Sequence, residues 1–87
     1  MGNMYYVYVL QSRKDKRFYV GSTKDLKSRF DEHNSGSVKS TKDRRPLKIV
    51  YYEASVLKKD AQHRERYLKT SHGKAYIKNR IKSYLTG

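Results

Sequence analysis

Two residues on one helical face of this chain could together hold an anion. The stretch Lys24 to His33 reads as a helix, and at about 100° per residue Leu26, Arg29, Phe30 and His33 fall within one arc. Arg29 and His33 therefore share the apolar face one turn apart and can act on a single oxyanion, while Lys24, Lys27 and Asp31 take the solvent side. Each has an ordinary explanation taken singly: a snorkelling arginine at the core edge, and a hydrogen-bonded histidine at a helix end. A later helix repeats the anomaly with the opposite sign. Leu57, Ala61, Glu65 and Leu68 lie on one face, so a carboxylate stands where an aliphatic residue is expected. An ion pair with Arg29, Arg64 or Arg66 would account for Glu65. So would ligation of Mg²⁺, which takes oxygen donors, keeps several waters and often needs only one or two protein carboxylates beside a phosphate. His63 and His72 match no zinc spacing.

The elements that must position these groups start with Met4 to Leu10, aromatic and β-branched throughout, which reads as a buried strand. Tyr6, Tyr8 and Leu10 alternate onto one of its faces. Gln11 to Lys16 is a polar turn, and Arg17 to Gly21 completes a hairpin in which Tyr19 and Gly21 share a face and Gly21 ends the strand. Glycine there permits a close approach to the main chain. Ser22 and Thr23 supply a capping hydroxyl for the first helix, and Asn34 to Gly36 close it. Ser37 to Arg45 is a basic loop, and Pro46 precedes a third strand from Leu47 to Tyr52. Leu57 to Thr70 is the second helix, His72 and Gly73 punctuate it, and Ile77, Ile81, Tyr84 and Leu85 carry a last helix. Core packing is the default reading of Tyr5, Tyr51, Tyr52 and Tyr84. The order ββαβαα predicts an α+β fold, a small antiparallel sheet flanked by helices.

Eighty-seven residues, 36% of them hydrophobic, allow one domain over 1–87 with one modest core. Lys and Arg number 21 against 8 acidic residues, and a formal charge of +13 attracts polyanions at long range. Nucleic acid is the expected partner. The chain has no cysteine, which removes disulfides and thiolate metal sites. No run reaches the roughly 18 apolar residues of a membrane span, and no signal segment opens the sequence, so no membrane is expected and the expected location is cytoplasmic. Nothing in the sequence sets an oligomeric state.

In order and spacing, Tyr6-Val7-Tyr8, Tyr19-Val20-Gly21, Arg29 with His33, and Glu65 on a later helix resemble the GIY-YIG nucleases, and among them the small single-domain bacterial members. The resemblance spans Tyr5 to the final helix and implies a three-stranded antiparallel sheet flanked by helices. It matches Tyr8 and Tyr19 to the two motif tyrosines, Arg29 to the helix arginine, Glu65 to the metal-binding glutamate, and His33 to a position at the active site in many members. Tyr6 stands where the first motif has glycine, as in many small members. Tyr6 and Gly21 are candidates for additional active-site residues, and Asn79 is the candidate for an asparagine that many members carry beyond the glutamate.

The implied activity is hydrolysis of phosphodiester bonds by a metal-dependent endonuclease, with Mg²⁺ or Mn²⁺ on Glu65, on DNA ahead of RNA, in repair or processing. Tyr8 or Tyr19 would orient or deprotonate water. With an ordinary pKa of about 10, either needs its phenolate favoured by metal or by Arg29. Arg29 would donate to the phosphate and His33 would act as donor or proton relay. Lys39, Lys42, Arg44 and Arg45 in the basic loop are candidates for backbone contacts, although solvation alone accounts for them. The alternative is a non-catalytic basic nucleic-acid-binding module that keeps the nuclease fold.

Overall fold

A strand that is buried on both faces has to lie in the middle of a sheet. In the computed structural model, which describes residues 3–87, that strand is β1 (Tyr5–Ser12), in which Val7, Tyr8, Val9 and Leu10 are all buried. It pairs antiparallel with β2 (Phe18–Thr23) on one side and β3 (Leu47–Ser55) on the other, giving the order β2-β1-β3. The α+β architecture expected from the element order is the one observed.

Alternation along β1 divides the hydrophobic residues between two layers. Val7 and Val9 face Val20 together with Ala61, Leu68 and Ile77, which come from α2 (Lys58–Leu68) and α3 (Ser71–Arg80). Tyr8 and Leu10 point the other way, with Leu47, Tyr19 and Ile49, against Leu26 and Phe30 of α1 (Leu26–Ser35). An irregularity in register between Val9 and Leu10 leaves Val50 as the extra residue, so that the adjacent Val50 and Tyr51 both pack on the first layer while Ile49 stays in the second. A short helix, α4 (Lys82–Thr86), ends the chain.

Several boundaries differ from expectation for local reasons. β2 runs on through Gly21 to Thr23, because Ser22 and Thr23 pair with Val7 and Tyr6 instead of capping the helix. The α1 cap is Asp25, whose carboxylate accepts from the Ser28 amide, and Gly36 closes the helix in the left-handed region. β3 extends three residues beyond Tyr52 because Glu53, Ala54 and Ser55 pair with the first residues of β1. The basic loop contains a single helical turn over Lys42–Arg44. Thr70 caps α3 by accepting from the Gly73 amide, so His72 and Gly73 lie inside its first turn. Glycine at 73 is needed for space, since a Cβ there would overlap the Tyr67 carbonyl and Leu68 Cα at the end of α2. Ile81 separates α3 from α4 where one last helix was expected.

Two tyrosines assigned to the core lie outside it. Tyr52 is 54% exposed against Tyr6, and Tyr84 is 45% exposed with its hydroxyl donating to Gln11. No helix among the described residues is long and apolar enough to cross a membrane.

Candidate active site

The site straddles the edge strand at two consecutive residues whose side-chain directions oppose one another. Gly21 stands opposite Tyr8 in the register, and a Cβ there would lie 2.6 Å from Tyr8 Cζ and overlap the phenol oxygen. The missing side chain lets the Tyr8 ring lie across β2. Ser22, facing the other layer, donates its hydroxyl to Glu65 Oε1 at 2.6 Å. A group from each side of the sheet thus reaches the same edge.

On the α1 side the polar atoms form a buried chain. Tyr8 Oη is 2.8 Å from His33 Nε2, and His33 Nδ1 is 2.7 Å from Thr41 Oγ1. The Tyr19 ring meets the imidazole at 5.1 Å between centroids, edge to face. His33 is fully buried, in keeping with its place on the apolar face of α1, and both of its ring nitrogens are hydrogen-bonded. Burial, then the Arg29 charge, lower its pKa against a smaller opposing effect from Glu32. The ring is therefore neutral, one nitrogen donating and the other accepting.

Arg29 lies beside this chain at intermediate exposure, with Nη1 donating to Glu32 Oε1 at 2.8 Å. Burial is the main influence on the Tyr8 phenol and raises its pKa. The charges of Tyr19 and Glu65 push the same way, and the Arg29 guanidinium opposes them without prevailing. A standing Tyr8 phenolate maintained by Arg29, one of the conditions set out above, is not what this environment produces. Tyr8 rests as a phenol with an acceptor, His33, already in place.

Glu65 accepts from Ser22 and from Lys69, whose ammonium is 3.0 Å from Oε2; Lys69 takes the place of the expected arginine partners. Partial burial raises the carboxyl, but the hydrogen bonds from Ser22 and Lys69 and the charges of Lys69 and Arg66 outweigh it and hold it below its ordinary value. Glu65 is thus an ionised oxygen donor with part of its surface open. No cluster of three or more His, Cys, Asp or Glu side chains capable of holding a metal occurs among the described residues. The donor set is a single carboxylate. That fits Mg²⁺ or Mn²⁺, whose shell waters and substrate oxygens complete, and does not fit zinc. The Lys69 ion pair is half exposed, and such pairs contribute only ~0–1 kcal/mol, so it is a weak competitor for the carboxylate.

The structure brings Tyr8, Tyr19, Arg29, His33 and Glu65 into one neighbourhood around Gly21. Tyr6 is a step away on the same face of β1, stacked obliquely on Tyr52 with centroids 6.1 Å apart. Asn79 is exposed on α3. In the basic loop, Arg44 pairs with Asp15 at 3.4 Å and donates to the Phe18 carbonyl, and Arg45 donates to the Lys42 carbonyl, so both pin the loop. Lys39 and Lys42 are exposed. Ser22, Thr41 and Lys69 were not anticipated. Ser22 was hidden by ending the strand at Gly21, two residues too soon. Thr41 carries no periodic or spacing signal, whereas Lys69 stands four residues after Glu65, the spacing of a helix ion pair, and that signal was passed over.

A model of the GIY-YIG catalytic domain matches residues 4–82. The chain is 45% identical over 67 residues to a UPF0213 protein of Clostridium perfringens, covering 76% of this chain and 71% of that one. It is 38% identical over 68 residues to the UPF0213 protein YazA of Bacillus subtilis, covering 77% and 68%. The solution NMR structure of the UPF0213 protein BH0048 from Bacillus halodurans superposes with a TM-score of 0.54 at 31% identity, covering 85% of this chain and 81% of that one.

Proposed function

The chain belongs to the family of GIY-YIG catalytic domains, and from that premise we propose that it is a divalent-metal-dependent endonuclease hydrolysing phosphodiester bonds in DNA. The observation that carries this reading is the meeting of a phenol, a neutral imidazole and an ionised carboxylate across one edge strand at Gly21 and Ser22. The phenol and imidazole also serve the core, where both are buried, but packing alone does not account for an ionised carboxylate at the same edge.

In this reading Arg29 turns from Glu32 to the scissile phosphate, where its planar fork suits two phosphoryl oxygens. Tyr8 accepts a proton from the attacking water as its own phenolic proton passes to His33 Nε2, and the tautomer with Nδ1–H on Thr41 leaves Nε2 free to receive it. The neutral state of His33 is what makes this hand-off available. Tyr19 packs on the imidazole and stands as the second phenol able to orient the water. Glu65 would hold Mg²⁺ or Mn²⁺, supplying charge neutralisation at the phosphoryl and leaving 3′ oxygens. With charge rather than base-reading side chains facing outward, selectivity rests on substrate shape more than sequence, as suits a repair or processing role.

Labelled DNA substrates of several shapes, incubated with Mg²⁺ or Mn²⁺ and with EDTA, test this directly. Cleavage should require metal and fall by at least about 10²-fold in Glu65→Gln and Arg29→Ala. Intact folded protein that cuts no substrate would sink the proposal. One observation favours a second reading: both Glu65 oxygens already have protein partners, as in a nucleic-acid-binding module that keeps the fold without the chemistry. That module would show no cleavage and no Mn²⁺ bound at Glu65.

A further inference from the structure

Beyond the site, two clefts follow the outer edge of β2 toward the hairpin turn. The first, about 260 Å³, runs from Tyr19 and Lys69 to Phe18 and Lys74. The second, about 680 Å³, is the largest described and continues from the same Phe18 and Lys74 to Lys78, Lys16 and Arg17. The shared residues make them one groove. It starts at Lys69, which bonds Glu65, and ends at the turn.

Its charge is one-sided. Lys16, Arg17, Lys74 and Lys78 are exposed, and none of them takes part in an ion pair among the described residues. The one carboxylate in the wall, Asp15, is engaged by Arg44. Lys74 and Lys78 are one helical turn apart on α3, about 6 Å along its axis, so both present to the same side. Phe18, half-buried at the junction, offers an aromatic edge to the groove where its neighbours offer charge. Unpaired cations in a row beside an aromatic ring are the make-up of a groove for a single nucleic-acid strand.

We infer that this groove carries the flanking single strand of the substrate away from the scissile phosphate toward the hairpin turn, with Arg17, Lys74 and Lys78 on consecutive parts of the backbone. The inference takes its ligand from the nuclease reading, yet it concerns binding and not chemistry. It moves the main backbone contacts from the Lys39–Arg45 loop, whose arginines are occupied, to the β2 edge and α3.

The test is fluorescence anisotropy of a labelled single-stranded DNA of about 12 nucleotides, in EDTA across a salt series, so that no cleavage contributes. The triple variant Arg17→Ala/Lys74→Ala/Lys78→Ala should weaken binding about tenfold or more. It should also flatten the log–log salt slope by about 2, at roughly 0.7 per lost phosphate contact. A control removing three exposed lysines past the opposite end of β2, Lys24→Ala/Lys58→Ala/Lys59→Ala, changes net charge equally and should lose much less. Equal losses in the two triples would mean diffuse attraction and overturn the groove, as would no binding by the wild type. Amide shifts in the wild type on addition of the same DNA should concentrate at 16–18 and 74–78; shifts centred on 39–45 would also overturn it. Loss of binding in the groove variant, in a protein that cuts nothing, would leave the groove standing and count only against catalysis.

Discussion

Tyr8 is at once a core side chain, 2% exposed, and the proposed proton acceptor. Removing its hydroxyl leaves His33 Nε2 without its partner in a dry setting, which costs about 1–3 kcal/mol. Tyr8→Phe is therefore expected to lower the melting temperature and the cleavage rate together. Arg29→Ala, at a half-exposed residue in a surface ion pair, should alter stability by no more than about 0.5 kcal/mol while losing activity. Parallel melting and cleavage assays on the two variants check the contrast. His33 adds a pH signature. Its pKa in the folded protein lies below the ordinary 6.5, so under acid the unfolded chain binds a proton that the folded one refuses. Stability should thus be complete above about pH 6.5 and fall as pH drops through that value toward the depressed one. A His33→Gln variant, less stable throughout, should show no decline over that interval.

At the scale of elements, Gly21 decides whether the phenol can cross β2. Gly21→Ala should displace the Tyr8 ring, weaken its bond to His33 and destabilise the fold by about 1–3 kcal/mol through overpacking; urea denaturation measures it. Much of this arrangement was legible beforehand because it depends on periodicity. The alternation of Tyr6, Tyr8 and Leu10, the shared face of Tyr19 and Gly21, and the shared arc of Arg29 and His33 follow from strand and helix geometry alone. Most of the missed features depend on contacts between elements or on where an element ends. Whether β2 stops at Gly21 or runs to Thr23 is decided by pairing with β1, and that choice hid Ser22. Leu57, assigned to an apolar face, is 60% exposed, because it is the N-cap of α2 with an extended backbone and so falls outside the helical periodicity. Tyr52 and Tyr84 look like core residues by type, but only the position of β3 at the sheet edge and of α4 at the chain end exposes them.

For the whole molecule, a charge of +13 on 87 residues is a standing repulsion that only counterions or a polyanion offset. Raising ionic strength from about 0.01 M to about 0.15 M shortens the screening length from roughly 30 Å to 8 Å. The melting temperature should rise over this range, as monitored by circular dichroism; a fall would mean that ion pairs outweigh repulsion. The same salt should weaken the proposed DNA binding. Stability and affinity are therefore expected to move in opposite directions with salt.

The interlocking of Gly21, Tyr8, His33 and Thr41 has a further consequence for lineages that abandon cleavage. Those four positions are fastened to the interior, so a chain kept only for its shape would hold on to them for folding alone. Arg29 is half exposed and Glu65 is open on part of its surface, so both could erode at less cost than the buried four. In a descendant that no longer cuts, the guanidinium and the carboxylate should vanish first, while the tyrosine persists as a fossil of the lost reaction.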